Sequence, residues 1–139
     1  MSIFSRIIRG EIPCHRLHED PHVLAFLDVH PVSRGHALIV PKQEVTTLGE
    51  LDDDTAAALG RVLPRVCRAV QRVTGCTAYN LLQNNGALAG QEVMHVHFHL
   101  IPRYPGDEAG SGLSVRWRAR PIDHADAANL ARDISRVLA

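Results

Sequence analysis

Residues 95–101 alternate histidine with apolar side chains, in the order His95-Val96-His97-Phe98-His99-Leu100-Ile101. Successive side chains of an extended strand point to opposite faces. The alternation therefore predicts a strand, over residues 91–102, with imidazoles on one face and an apolar opposite face that packs into a core. Imidazoles held close together on a rigid strand suit two kinds of chemistry, binding of a transition metal or attack on a phosphate ester.

The rest of the chain predicts an α+β domain in which helices pack against an antiparallel sheet. Short apolar runs between turn residues predict four more strands, and apolar residues at helical spacing predict a long central helix that ends at Gly75. A C-terminal helix is predicted to bury Leu130, Ile134, Val137 and Leu138. The predicted strands cover residues 15–19, 23–27, 36–40 and 79–83, and the predicted helices cover residues 3–9, 51–74 and 123–138.

Length and composition narrow the class of protein. The chain has 139 residues, which predicts a single domain over residues 1–139. Its formal net charge is zero, so it has no basic field for holding a nucleic acid. The N-terminal residues lack the apolar core of a signal peptide, and no run is long enough to span a bilayer, so we expect a cytoplasmic protein without a membrane partner. Irregular spacing predicts that Cys14, Cys67 and Cys76 are reduced thiols.

Both kinds of imidazole chemistry remain open at this point. A metal site needs a further ligand from elsewhere in the chain and carboxylates that orient the imidazoles. Glu92 is the only acid close in sequence, and strand alternation turns it away from the face that carries His95. In the other reading, a neutral imidazole attacks phosphorus while its neighbours stabilise charge on the phosphate oxygens. The scarcity of acids favours phosphate chemistry with no metal and no other cofactor.

Residues 95–101 resemble the signature of the histidine triad (HIT) superfamily, in which histidine alternates with apolar residues. Further segments resemble this family in the same order along the chain, some of them its bacterial, Hint-like branch. The resemblance implies a sheet of about five antiparallel strands, a long central helix, a C-terminal helix, and sheets joined across a homodimer. The further segments are Gly10-Glu11-Ile12-Pro13, Ala25-Phe26-Leu27-Asp28, Gly35-His36-Ala37-Leu38-Ile39-Val40-Pro41-Lys42, Asn84-Asn85-Gly86 and Gly90-Gln91-Glu92-Val93.

The resemblance also implies a role for each site residue. His97 is the nucleophile that attacks the α-phosphate of a purine nucleotide. His99 and His36 contact the phosphate oxygens, and His95 supports the site. The implied nucleotide-binding residues are Asp28 for the ribose hydroxyls, Asn84 for the ribose-phosphate, Gln91 near the leaving group, and Phe26, Val29 and, less directly, Ile7 for the base pocket.

Some of these residues also suit purely structural roles. Asp28 suits the cap of a turn before Pro31, and Phe26 suits the core. Gln91 suits an exposed surface position. Trp117 suits either a dimer interface near the partner's site or a local core.

The chain departs from the resemblance at one place. Some bacterial relatives hold a structural zinc with a Cys-x-x-Cys pair, a histidine and the first histidine of the triad. This chain has Ser2, Ser5 and Glu44 at the first three of these positions, and only His95 remains. Serine hydroxyls do not replace thiolates as zinc ligands, so we predict no structural zinc.

The activity implied is hydrolysis or transfer at the α-phosphate of a purine nucleoside phosphoramidate or a related nucleotide conjugate. A nucleotidyl-histidine forms and water releases a nucleoside monophosphate. Two alternatives stay open, a dinucleoside polyphosphate hydrolase and a nucleotide-binding regulatory protein with little catalysis.

Overall fold

A five-stranded antiparallel sheet forms the centre of the structure, a computed structural model that describes residues 1–113 and 118–138. The strand order across the sheet is β1-β2-β3-β5-β4. No helix among the described residues is both long and apolar enough to cross a membrane. In chain order the elements are α1 (Ile3–Ile8), β1 (Arg16–Glu19), β2 (Val23–Leu27), β3 (Ala37–Pro41), α2 (Asp53–Thr74), β4 (Ala78–Leu82), β5 (Phe98–Arg103) and α3 (His124–Leu138).

Strands β2 and β3 are buried on both faces, because they send alternate side chains to two different helices. In β2, Val23 and Ala25 pack towards α2, whereas Leu24 and Phe26 pack towards α1. The same alternation in β3 separates two cores, and β5 contributes to the α2 core. The α2 core includes Ala37, Ile39, Leu59, Val62, Val66, Val70 and Leu100, and the α1 core includes Phe4, Leu38 and Val40.

The long helix α2 ends where the sequence predicts and begins at Asp53, two residues after the predicted start. Asp52 caps its N-terminus by accepting a hydrogen bond from the Thr55 N–H at 2.7 Å. Gly75 ends it with a left-handed backbone, φ 75°, which a residue with a side chain rarely adopts. Pro64 lies inside the helix and does not divide it. The fold class and the existence of all five strands are confirmed, with β1 to β4 within one residue of the predicted bounds.

The prediction of one long strand over residues 91–102 is wrong. Strand β5 begins at Phe98, and residues 91–97 form an irregular segment. In this segment the His95 N–H bonds to the nearby Val93 carbonyl, and the Val96 N–H bonds to Val45 rather than to a neighbouring strand of the sheet. Alternation of side chains therefore holds only for the C-terminal part of the predicted strand.

The prediction of a buried face on the C-terminal helix is also wrong for the part of the chain that the structure describes. Helix α3 is present, but it has no buried residue. Its apolar stripe is exposed, with 51% of Leu130 and 88% of Val137 accessible to solvent. The stripe has the helical spacing that the sequence predicts, but none of the residues that the structure describes buries it.

Candidate active site

A pocket of about 440 Å³ opens on the α1 face of the sheet. Five residues that the sequence singles out line it together: Asp28, His36, Asn84, His97 and His99. Strand parity explains why they meet. Leu38 of β3 lies opposite His99 of β5 and faces the α1 core, so that the odd-numbered residues of β5 and the even-numbered ones near β3 share this face.

His97 is held in one tautomer of its neutral ring by a hydrogen bond to the backbone. Its Nδ1 lies 2.7 Å from the carbonyl oxygen of His95, which can only accept a hydrogen bond. Nδ1 therefore carries the hydrogen, and Nε2 is left with a free lone pair. The Phe4 ring packs edge-on against the imidazole, with 4.9 Å between ring centroids. Burial lowers the pKa of His97 from its usual 6.5, which favours the neutral ring, although the hydrogen bond to His95 opposes the shift.

The tautomers of His36 and His99 follow from one another. The Val32 N–H donates to Nδ1 of His36 at 3.0 Å, so that Nε2 of His36 carries the hydrogen. Nε2 of His36 lies 2.9 Å from Nδ1 of His99 and donates to it. The hydrogen of neutral His99 is therefore on Nε2, where it is available to an acceptor in the pocket.

Burial keeps the imidazoles of His36 and His99 uncharged at neutral pH. It is the main cause that lowers the pKa of His99 to about 4, and the neighbouring rings of His97 and His36 lower it further. Burial also lowers the pKa of His36, against the attraction of the Asp28 carboxylate. The pocket thus presents neutral rings to a ligand rather than a cluster of cations.

Asp28 uses its two carboxylate oxygens differently. Oδ1 accepts a hydrogen bond from the His30 N–H at 2.8 Å, the turn cap that the sequence suggests. Oδ2 lies 3.5 Å from Nε2 of His36 and is the oxygen left for other partners. Among the described residues, the donor atoms that could hold a metal ion are those of Asp28, His36 and His99, all within 4.8 Å of one another. A cation there would have to replace the hydrogen bond between the two imidazoles.

His95 is close to the site in sequence but does not line the pocket. Its side chain is fully buried, and Nε2 donates to the Pro41 carbonyl at 2.8 Å. Nδ1 then accepts from the Ser2 hydroxyl at 2.7 Å. His95 therefore acts on the site through its backbone carbonyl, which holds His97, and through the packing of its ring between α1 and β3.

The structure brings together the four positions at which some relatives bind zinc. Oγ of Ser2 lies 3.3 Å from Oγ of Ser5 and bonds to His95. The Glu44 carboxylate accepts a hydrogen bond from the backbone N–H of Ser2. Two hydroxyls, one carboxylate and one imidazole do not match the thiolate and imidazole sets of structural zinc sites. Hydrogen bonds link these positions in this structure.

The remaining predicted residues do not line the pocket. Gln91 is buried rather than on the surface, and its amide bonds to backbone groups of Thr46, Val93 and Gly86. Phe26 and Ile7 belong to the α1 core, while Val29 is 70% exposed. Trp117 lies outside the described residues.

Sequence reasoning missed one chemically important residue of the pocket. Glu92 is exposed and lines the pocket between Gly90 and Val93. Strand alternation over residues 91–102 predicts that Glu92 points away from the triad face. This prediction is wrong because residues 91–97 do not form a strand. The φ of 88° at Gly90 is the local feature that ends regular structure there, and a glycine before the triad is the signal that sequence analysis could have used.

Comparison with known proteins agrees with this architecture. The profile of the HIT domain family matches residues 9–106. The Schizosaccharomyces pombe protein named adenosine 5'-monophosphoramidase hnt1 is 43% identical over 133 residues, which are 96% of this chain and 95% of that protein. The Saccharomyces cerevisiae protein named adenosine 5'-monophosphoramidase HNT1 is 42% identical over 132 residues, covering 95% of this chain and 79% of that protein. The crystal structure of a HIT family member from Bacillus subtilis superimposes with a TM-score of 0.89 at 37% identity, covering 99% of this chain and 97% of that one. The chain therefore belongs to the HIT domain family.

Proposed function

We propose that this protein, as a single HIT domain, is a nucleotide hydrolase that acts at the α-phosphate of a purine nucleoside phosphoramidate or a related nucleotide conjugate. The observation that carries the proposal is the pairing of His97 Nδ1–H with the His95 carbonyl at 2.7 Å, which leaves Nε2 as a neutral nucleophile. The two fungal relatives named adenosine 5'-monophosphoramidase support the substrate class.

The reaction proceeds in two displacements at phosphorus. In the first, Nε2 of His97 forms a bond to the α-phosphorus as the bond from phosphorus to the leaving nitrogen breaks. In the second, water attacks phosphorus and the bond to His97 breaks, releasing a nucleoside monophosphate. The leaving nitrogen takes up two protons from solvent as its bond to phosphorus breaks, and it departs as an ammonium ion. In the second step the oxygen of water joins phosphorus and its two protons return to solvent, so that over both steps one water is consumed.

The neighbouring groups stabilise this chemistry without a cofactor. When Nε2 bonds to phosphorus, the His97 ring becomes positively charged, and the His95 carbonyl stabilises that charge through Nδ1–H. The Nε2–H of His99 donates to a phosphate oxygen. His36 holds His99 in the required tautomer at 2.9 Å.

Nucleoside binding is assigned to Asp28 and Asn84 in the same pocket. The free Oδ2 of Asp28 accepts from the ribose hydroxyls, and the Asn84 amide contacts the ribose-phosphate. The base rests on the exposed side chain of Val29, next to Asp28, while Phe26 and Ile7 support this apolar side from the α1 core. Gln91 acts through its bonds to Gly86, Thr46 and Val93, which fix the loop that borders the leaving group.

The experiment that tests the function compares His97→Ala with the unmodified protein. Incubation with an adenosine phosphoramidate should release AMP, and rapid quenching followed by mass spectrometry should detect one covalently bound AMP. His97→Ala should lose both signals, whereas His15→Ala, which removes an exposed imidazole away from the pocket, should keep them.

Three other outcomes would each contradict part of the proposal. Near-normal AMP release by His97→Ala would remove His97 as nucleophile. Preference for diadenosine tetraphosphate over the phosphoramidate would favour the dinucleoside polyphosphate activity. Binding of AMP without release from either substrate would favour a regulatory nucleotide-binding protein.

Homodimerisation through the free edge of β4 is part of the proposal. Strands β1 and β4 are the two edges of the sheet. Edge β1 carries an ion pair between Arg16 and Glu19 at 2.6 Å, whereas β4 has no charged residue and exposes Tyr79 and Leu81. Charged edges resist pairing and uncharged ones permit it. Leu81→Lys should therefore convert a dimer into a monomer in size-exclusion chromatography with light scattering, and an unchanged mass would contradict this edge.

The cellular setting is proposed on chemical grounds. Cys14, Cys67 and Cys76 are all free, which suits the reducing cytoplasm. A zero net charge supports a small nucleotide, rather than a nucleic acid or a membrane surface, as the partner.

A further inference from the structure

The pocket has two distinct ends, which are set by the strand order. Asp28 follows β2, and Asn84 follows β4, while β3 and β5 lie between these two strands. The imidazoles of His97 and His99 stand between the two ends. If Asp28 holds the ribose, Asn84 contacts the ribose-phosphate and His97 attacks phosphorus, the leaving group extends past Asn84 towards the loop that follows β4. The pocket residues of this loop past Asn84 are Gly90, Glu92 and Val93.

The charge of that end is negative. Glu92 is exposed at the pocket wall, and among the described residues no lysine or arginine lines the pocket. Burial lowers the pKa values of His36, His97 and His99, so these rings add no positive charge at neutral pH. The described lining therefore carries the carboxylates of Asp28 and Glu92 and no fixed cation.

Leaving groups of the two competing substrate classes differ in the charge that they develop. An amine gains protons as its bond to phosphorus breaks and leaves as a cation. A nucleoside polyphosphate takes the electrons of the broken P–O bond and leaves with more negative charge than before. A carboxylate beside the leaving group attracts the first and repels the second.

We propose that Glu92 determines leaving-group specificity, selecting nucleoside phosphoramidates of amines, above all amines that carry a second positive charge, against polyanionic leaving groups. The inference rests on the proposed function, because it assigns the leaving group of that reaction. It adds a residue that the strand pattern of the sequence placed away from the triad face.

The test uses adenosine phosphoramidates of three amines of equal length. Propanediamine carries an ammonium tail, aminopropanol a neutral tail, and β-alanine a carboxylate tail. The quantity measured is kcat/KM for AMP release, expressed as the ratio of the ammonium substrate to the carboxylate substrate. Glu92→Gln keeps the size of the side chain and removes its charge. A unit charge in a solvent-open pocket attracts one tail and repels the other, so loss of both effects should reduce the ratio about tenfold.

The matched control is Glu108→Gln, which removes the same charge from an exposed carboxylate outside the pocket lining. This variant should keep the ratio of the unmodified protein, and Glu92→Lys should invert it. The neutral substrate should still release AMP in Glu92→Gln, which shows that the variant folds and reacts.

Two results would overturn the inference while leaving the proposed function intact. One is a ratio that stays within twofold in Glu92→Gln, and the other is an equal change in Glu108→Gln, which would indicate a general effect of net charge. Absence of AMP release from all three substrates would instead overturn the proposed function, and with it the role of Glu92.

Discussion

Replacement of His99 by asparagine should make the protein more resistant to acid. His99 is neutral in the folded state because its pKa is lowered to about 4, whereas an unfolded histidine titrates near 6.5. Below pH 6.5, His99 therefore binds a proton in the unfolded state that it does not bind in the folded state. The stability of the unmodified protein is complete above this pH and falls as pH decreases towards 4. Asparagine cannot take up this proton, and its amide oxygen can still accept the hydrogen bond from His36.

The size of the effect follows from the two pKa values. The difference between the pKa values of 6.5 and about 4 corresponds to ~3.4 kcal/mol of stability, at 1.36 kcal/mol for each pKa unit. Of this stability, ~2.5 kcal/mol is lost by pH 4.5. His99 is partly exposed, so solvent screening reduces the expected loss to about 1 kcal/mol. His36 and His97 also have lowered pKa values and remain in the variant, which should keep part of its acid sensitivity.

Urea unfolding at pH 7.5 and at pH 4.5 measures the difference directly. The free energy of unfolding should fall by about 1 kcal/mol less in His99→Asn than in the unmodified protein between these two pH values. The control His15→Asn removes an exposed imidazole and should show the same fall as the unmodified protein. Equal pH dependence in His99→Asn and the unmodified protein would refute the argument that burial of this ring depresses its pKa.

Three further predictions concern Ser2, Asp28 and zinc. Ser2→Ala should lose about 2–3 kcal/mol in urea unfolding, because α1 loses its cap and Nδ1 of His95 loses its donor; Ser2→Thr should recover most of the loss. Asp28→Asn should raise KM about tenfold for an adenosine phosphoramidate but not for its dideoxyribose analogue, and equal effects on both would exclude contact with the ribose hydroxyls. Protein purified without added metal should contain no stoichiometric zinc, whereas the triple variant Ser2→Cys, Ser5→Cys, Glu44→His should bind about one zinc per chain, as measured by mass spectrometry of metals; failure of the triple variant would show that the four positions do not converge closely enough.

Local sequence patterns predicted the regular elements of the fold well. An apolar run between turn residues located β2 over Val23–Leu27, and an acidic first turn with a terminal glycine located α2, which spans Asp53–Thr74, to within two residues. These signals are short-range, since they depend on neighbouring side chains and on the caps at each end. The segment 91–97 shows their limit. Histidines alternate there as they do in a strand, but the buried Gln91 amide and the turn at Gly90 hold the backbone in another path.

Contacts between distant residues explain what sequence patterns could not provide. Ser2 reaches His95 across 93 positions of the chain, and His36 reaches His99 across 63. A pattern of histidines predicts that an imidazole cluster exists but not which nitrogen of each ring is used. In a similar way, helical spacing predicted the apolar stripe of α3 but not that this stripe is exposed in the described part of the chain. The edge of β4 is likewise unpaired and uncharged, which is why the dimer is part of the proposal.

The four histidines of the site perform different tasks because each ring has different hydrogen-bond partners. A carbonyl that accepts from Nδ1 leaves Nε2 of His97 free for the proposed attack, whereas a backbone N–H that donates to Nδ1 makes His36 a donor at Nε2. His99 accepts from His36 and so carries its hydrogen on the opposite nitrogen, which is the proposed donor to the phosphate. A second carbonyl and a serine hydroxyl use both nitrogens of His95, which leaves it no free nitrogen for chemistry. Replacing the hydrogen-bond partner of an imidazole should therefore change the role of that ring even when the histidine itself is kept. Burial keeps the rings of His36, His97 and His99 neutral, so the Glu92 carboxylate is the charge that faces the proposed leaving group. The burial that keeps His97 available as the proposed nucleophile therefore also makes the pocket sensitive to the charge of the leaving group.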